Sequence, residues 1–429
     1  MNDGRDRPDP AANPMTEPVQ PLADPPAAGV DPQSTIQTAI VCLSLAALGS
    51  GMAMRINDAM LLRLAGEFGI GVGSAAQVIS IFAVAYGVAQ LGFGPMGERW
   101  GKYRVIAWAC VACAIVSALC ALATDFVMLR VLRALAGACA AGIIPLAMAW
   151  IGDVVSYESR QPVLARFLIG QIVGLSAGVW LGGFAADHLS WQAPYWVLAV
   201  HFIVIGSILL KLNGRLPDSA RITRRLQRSP LQGLFVDLAD VLRRRWARVI
   251  LATVLLEGAL LFGPFSFIAV HLNRVHGLSL SAAGSLVMLF GLGGFLFASA
   301  SRRLVRIFGE VGLARWGGGL LALSYLLIAY GPGWAWAIPG TFGAGLGFYM
   351  LHNTLQVNAT QMAPELRGPA VTTFASCLFF GQSIGVAVCS WLVSRIDTAT
   401  MIAGGAAGLL LVSAVFARLR SRHVDEARS

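Results

Sequence analysis

The sequence predicts an all-α membrane protein whose twelve transmembrane helices form two six-helix halves. Three observations carry that reading. The 429-residue chain is 56% hydrophobic and 13% charged, with a mean hydropathy of +0.69, a balance foreign to soluble domains. Its apolar residues run in blocks long enough to span a bilayer, near 36–54, 74–95, 105–124, 126–151, 163–184 and 193–212, then 247–270, 281–300, 311–330, 335–357, 370–392 and 399–418. Its basic residues gather on one side of that threading. A lipid core offers no water to backbone groups, so blocks this long must be helices, whereas a β-barrel would show short alternating strands.

The charge asymmetry sets the topology. Of 32 Lys and Arg, only Arg63, Arg274 and Arg395 fall in outer loops, while Arg55, Arg130 and Arg133 lie in or beside helices. All the others fall on the inner side, which places both termini in the cytoplasm. The net charge of +10 is therefore topogenic and gives no reason to expect a nucleic-acid partner. Arg outnumbers Lys thirty to two, the usage of a GC-rich bacterial genome, so the expected setting is a bacterial cytoplasmic (inner) membrane. The seven cysteines all lie inside predicted spans, where no disulfide is expected. Cys110 and Cys113 form a CxxC without a second pair and are read as packing residues, with no metal.

Residues 1–34, rich in Pro, Asp and Ala, lack the basic start and apolar run of a signal peptide and are read as a disordered cytoplasmic tail. The first bundle, 35–212, opens with a span that ends in MRINDAM, carrying Arg55, Asn57 and Asp58. Arg55 and Asp58 are three apart, hence on one helical face. They are either a snorkelling interfacial pair or part of a pathway lining. The second span supplies Gln77, Tyr86 and Gln90. GPMGERWGKYR, residues 94–104, then stands as a glycine-bracketed island of charge. It is read as a tight inner turn in which Gly97 and Gly101 permit geometries closed to other residues, held inside by Arg99, Lys102 and Arg104.

That pattern resembles the signature loop between the second and third helices of the major facilitator superfamily of transporters. Glu98 stands where the family usually has Asp, and Tyr103 interrupts the usual basic pair. The resemblance implies a gating loop made of Gly94, Gly97, Glu98, Arg99, Gly101, Lys102 and Arg104. It also implies that the Glu98 carboxylate meets the positive N-terminal end of the eleventh helix when the inner gate closes.

The fourth span begins LRVLRALAGACAAG, where Arg133, Gly137 and Gly142 resemble the family's fourth-helix motif. A guanidinium inside a span must find a carboxylate, carbonyls or water, so Arg133 is either a pathway residue or a static structural partner. Asp153, Arg160 and Arg166 mark the next inner turn. In the fifth span Gly170, Gly174, Gly178 and Gly182, followed by Gly183, place one small ridge along the helix, which lets backbones approach closely. The ridge resembles the fifth-helix motif of proton-coupled exporters, with Val179 in place of its proline. The linker 213–246 carries an arginine cluster, part of which is expected to form a basic amphipathic helix on anionic lipid.

The second bundle, 247–418, repeats the first in parallel. SRRLVRIFGEVG, residues 301–312, echoes the first loop in Arg306 and Gly309, and Gly381 and Gly385 echo the ridge of the fifth span. Glu257 sits about 15 Å into its helix, near mid-membrane. Burial there disfavours the charged form unless a cation faces it, which makes Glu257 a candidate proton carrier. His352, Gln356 and Thr360, spaced at fours, form one polar face with Asn353 beside it, and Gln382 joins the pathway list from the eleventh span. Residues 419–429 are an inner tail.

No phosphate-binding loop, HExxH, serine elbow or metal-ligand cluster is present, so the chain is read as no enzyme and without cofactor. The resemblance covers about residues 36–418 and is nearest to the bacterial arabinose-efflux and multidrug exporter branch. It implies a secondary transporter of a small molecule working by alternating access, with protons as coupling ion and efflux as direction. The alternatives are a proton symporter taking up a metabolite and a non-transporting sensor or scaffold.

Overall fold

The long apolar blocks are helical in the computed structural model, which describes residues 32–221 and 230–428; no strand occurs among them. Of the tail expected at 1–34, residues 1–31 lie outside the described residues, as do Arg224, Arg225 and Arg228 of the linker, while residues 32–34 already belong to the first helix and not to a disordered tail. The first half comprises α1 (Gln33–Arg55), α2 (Val72–Trp100), α3 (Lys102–Ala121), α4 (Phe126–Val154), α5 (Ser159–His188) and α6 (Ala193–Asn213). The second half opens with α7, Arg245–His276. The apolar stretch Leu280–Tyr330 is broken at Gly309 (φ 63°, ψ 177°), giving α8 (280–308) and α9 (310–330). Next come α10 (Ala337–Gln361), α11 (Pro364–Leu392) and α12 (Thr398–His423). The polar residues of α10 hold its hydropathy below that of its neighbours, so ten apolar stretches make twelve helices once Leu280–Tyr330 is divided and α10 is added.

The two halves use the same pairings. α1 packs on α5 as α7 packs on α11; α2 on α4 as α8 on α10; α3 on α6 as α9 on α12. Glycines make the first of these possible. The face of α5 carrying Gly170, Gly174, Gly178 and Gly182 lies on the carbonyls of Ser44, Leu48, Met52 and Ile56 of α1, while Gly381 and Gly385 lie on those of Leu255 and Ala259 of α7. No side chain fits in either seam. α3, α6, α9 and α12 sit outermost and expose Trp108, Val200, Trp316 and Leu411, as a lipid solvent requires.

The inner-turn expectations need two corrections. Residues 94–104 are mostly helix: α2 runs to Trp100, α3 starts at Lys102, and Gly101 alone makes the turn, with φ 88°. Gly97 is helical, and its missing side chain admits Leu146 of α4, whose methyl would stand 2.6 Å from an added Cβ. Gly309 repeats the positive-φ turn of Gly101 in the second half. The linker helix, Pro230–Arg243, is also not basic: it carries Asp237 and Asp240 against Arg243. It packs on α2, α7 and α11 with Val241 fully buried, so it bridges the halves where a lipid-bound helix was expected.

The halves meet through α2 on α11 and α5 on α8. These contacts are tightest at the end away from residues 94–104, called here the far end, the other being the basic end. Gly73 lies against the carbonyl of Ser390, and Gly183 against that of Leu280. Asp187, closing α5, accepts hydrogen bonds from the backbone N–H (2.6 Å) and hydroxyl (2.5 Å) of Ser281 in the first turn of α8. Midway, Tyr86 of α2 packs on Phe379 of α11, ring centroids 4.1 Å apart. Nearer the basic end, an added Cβ at Gly92 or Gly94 of α2 would meet nothing within 4 Å.

Candidate functional site

Residues 56–60 leave the helical path between α1 and the short helix Leu61–Glu67. That break turns Arg55, Asn57 and Asp58 inward, and all three are buried. Arg55 Nη1 donates to Asp58 Oδ2 at 3.3 Å, so the spacing of three does make an ion pair. Asp58 Oδ1 has no partner among the described residues. The Arg55 guanidinium lies across the interface, 4.1 Å from the Phe262 ring centroid and 5.2 Å from that of Phe265, both on α7. A cation from the first half thus rests on aromatic faces of the second.

Behind that pair, Arg133 of α4 is 1% exposed. Its Nη2 donates to the Ala53 carbonyl of α1 (3.0 Å) and its Nε to the Val78 carbonyl of α2 (3.3 Å), with the Phe82 ring centroid 4.3 Å away. The Asn57 amide satisfies both neighbours when its oxygen faces Arg133 (3.1 and 3.3 Å) and its nitrogen donates to Tyr195 Oη of α6 at 2.6 Å. Arg133 therefore ties three helices through uncharged acceptors.

In the second half Glu257 of α7 is fully buried, and its Oε2 lies 2.9 Å from Nδ1 of His352 on α10. Glu257 Oε1 and Gln382 Nε2 have no partner among the described residues. His352 stacks on Phe348, centroids 4.8 Å apart, and packs on Phe374 at 5.4 Å. Exposure rises along this face of α10 from Phe348 (6%) through His352 (14%) to Gln356, which is exposed; Asn353 is half-buried. Thr360 bonds the Val357 carbonyl of its own helix.

Between these groups lies a cavity of about 30 Å³, lined by Arg55, Ser176 and Val179 of the first half and Phe262, Phe265, Phe290 and Phe348 of the second. Ser176 crosses the interface to donate to the Met288 carbonyl of α8 at 3.0 Å. A roomier hollow, about 470 Å³, opens on the lipid side beside Phe93, Trp100, Arg104 and Trp108. None of its lining side chains is a buried polar group, and none belongs to the Arg55–Asp58 or Glu257–His352 pair. The phenylalanines, Ser176 and Tyr195 escape sequence reasoning. An aromatic residue reads alike whether it faces lipid or cavity; a hydroxyl beside the glycine ridge is the one signal that could have marked Ser176.

At the basic end, Lys102 Nζ lies 3.1 Å from Glu98 and 2.6 Å from Asp153 of α4, two contacts of the expected gating loop within the first half. Arg99 sits over Trp100 at 5.6 Å, and Arg104 is exposed. The second half carries its own pair, Glu310 with Arg420 of α12, at 3.0 Å. No group of three metal-ligating side chains occurs among the described residues.

Residues 43–386 match the Major Facilitator Superfamily. The uncharacterised MFS-type transporter YceJ of Bacillus subtilis is 23% identical over 358 residues, 82% of this chain and 89% of its own length. The chloramphenicol resistance protein of Streptomyces lividans is 26% identical over 264 residues, 61% and 65% of the two chains. Among solved structures the nucleoside transporter NupG superposes with a TM-score of 0.72 at 15% identity, covering 88% of this chain and 98% of that one.

Proposed function

The chain belongs to the major facilitator superfamily of secondary transporters, and from that premise we propose that it exports a small molecule across a bacterial cytoplasmic membrane in exchange for protons. In this reading the basic end, with both termini and residues 94–104, is cytoplasmic, and the structure is the state closed to the outside. The protein is a transporter and not an enzyme. The observation that carries proton coupling is the Glu257–His352 pair. It is a carboxylate and an imidazole at hydrogen-bonding distance, beside the inter-half cavity, at a helix face whose exposure increases toward the basic end. A proton added to or removed from that pair changes the charge of the interface and so biases one state over the other. Export is supported by the glycine ridge of α5, the feature that resembles the fifth-helix motif of proton-coupled exporters.

The test uses proteoliposomes with an imposed pH gradient and a substrate panel added one compound at a time. Wild-type protein is expected to release vesicle protons on meeting its substrate. Glu257→Gln is expected to bind that substrate yet lose the pH dependence of exchange. Full-rate exchange with unchanged pH dependence in the variant removes Glu257 from the coupling step, and substrate-driven proton movement in the same direction as substrate assigns symport.

A further inference from the structure

The cavity between the halves carries one charge on its wall, and it is positive. Asp58 and Glu257 are buried to 1% and 0% exposure, Asp58 pairs with Arg55 and Glu257 with the His352 imidazole, and neither lines the cavity. Arg55 does line it. A guanidinium has five N–H donors in a planar fork suited to two parallel bonds with an oxyanion. Among the described residues Arg55 bonds only Asp58, through Nη1 at 3.3 Å, a longer contact than a strong charge-assisted bond. Its guanidinium carbon lies over the rings of Phe262 and Phe265, and the residue is only 4% exposed. A buried guanidinium so short of acceptors, at the wall of a cavity whose other lining is apolar apart from Ser176 and includes four phenylalanines, is a built anion site with an apolar surround.

We propose that the transported molecule is an organic anion, a carboxylate or similar oxyanion attached to a flat apolar body, with the anionic group on Arg55 and the body against Phe262, Phe290 and Phe348. This assignment rests on the transport reading above. A cation is disfavoured here: the one charged group on the wall repels it, and neither Asp58 nor Glu257 lines the cavity. The proposal also gives the second half a way to sense the load. Phe348 touches both the cavity and the His352 ring, so a molecule on Arg55 presses on the Glu257–His352 pair without contacting it. At about 30 Å³ the cavity holds roughly one water, so loading widens the cleft from its present shape.

Three probes of one shape test this on the full-length protein in lipid nanodiscs: 2-naphthoate, its neutral amide, and 2-naphthylmethylammonium, with binding read by calorimetry. Naphthoate is expected to bind about tenfold or more tightly than either isostere, the margin of a charge-assisted bond at a desolvated site. Arg55→Gln is expected to erase that preference, and Arg55→Lys, which keeps the charge without the fork, to retain part of it. Phe262→Leu, which leaves Arg55 in place, is expected to weaken all three probes together. The proposal is overturned if naphthoate does not bind up to millimolar concentration, if the ammonium binds as tightly, or if folded Arg55→Gln still prefers the anion. The transport reading fails separately: Arg55-dependent naphthoate binding that never moves a proton or crosses the bilayer leaves the anion site standing and removes coupled export. Proton release driven by the ammonium alone does the reverse.

Discussion

Arg55 and Arg133 are both buried guanidiniums, yet their acceptors separate them. Arg133 meets the Ala53 and Val78 carbonyls and Asn57, and nothing in that set titrates. Removing it takes a donor from the buried Ala53 carbonyl at the end of α1, at a cost of about 1–3 kcal/mol, and breaks the link to α2. Arg133→Met is therefore expected to lower the thermal midpoint in detergent markedly, and Arg133→Lys to recover little, because an ammonium on one stem cannot bridge α1 and α2. A variant of unchanged midpoint that has lost transport would return Arg133 to the pathway. The sequence exposes single residues of this kind because any charge is conspicuous in an apolar span. Arg55 with Asp58 was readable as a pair from their spacing of three, although the turn after α1, where the Asp58 N–H bonds the Arg55 carbonyl at 3.1 Å, joins them where a helical face was expected. Glu257 with His352 was not, since 95 residues separate them and only the fold brings them to 2.9 Å. Phe262, Phe265, Phe290 and Phe348 were invisible, being indistinguishable from the aromatic residues that face lipid.

Among the elements, α5 shows how a small-residue ridge becomes a helix seam. Val179 stands where the related motif has proline, so α5 keeps its backbone donor there and carries Gly170 to Gly183 along α1 and α8. At Gly174 an added Cβ would lie 2.1 Å from the Leu48 carbonyl oxygen. Backbone cannot yield as a flexible side chain does, so Gly174→Ala must push α1 away from α5, an overpacking cost of about 1–3 kcal/mol. Gly404 of α12 faces open space. There Gly404→Ala is expected to leave stability unchanged or raise it by up to about 1 kcal/mol, through helix propensity. Thermal melts of the two variants check the contrast, and equal losses would mean that the seam is looser than its geometry. The period of four made the ridge legible in the sequence, but its partner was not, because periodicity marks a face and not what lies against it. The linker helix was misread for a related reason: the arginines flank Pro230–Arg243, and the helix itself carries Asp237 and Asp240.

At the scale of the molecule, twelve helices and two parallel halves follow from hydropathy and charge, since lipid leaves the chain few alternatives. The state of the gate does not, because hydropathy and charge mark spans and sides and carry nothing about which end is shut. In this state the far end is shut by Asp187 of the first half on Ser281 of the second. That carboxylate at a helix start mirrors the contact expected of Glu98 at the basic end, which here pairs with Lys102. Asp187→Asn weakens the far latch by about 1 kcal/mol, allowing for its exposure, and so shifts the ratio of states about fivefold toward the form open at that end. Faster amide exchange over residues 279–284 is the expected signature. A covalent latch makes the opposite change at the same place. None of the seven native cysteines is paired, so Asp187→Cys with Ser281→Cys offers one new crosslink across α5 and α8. If the halves must part there in each cycle, the oxidised protein stays folded, holds the far end shut and stops transporting, and reductant restores the rate. Full transport by the crosslinked protein would show that α5 and α8 never separate at Ser281, and the rocking of one half against the other about this cavity would have to be abandoned.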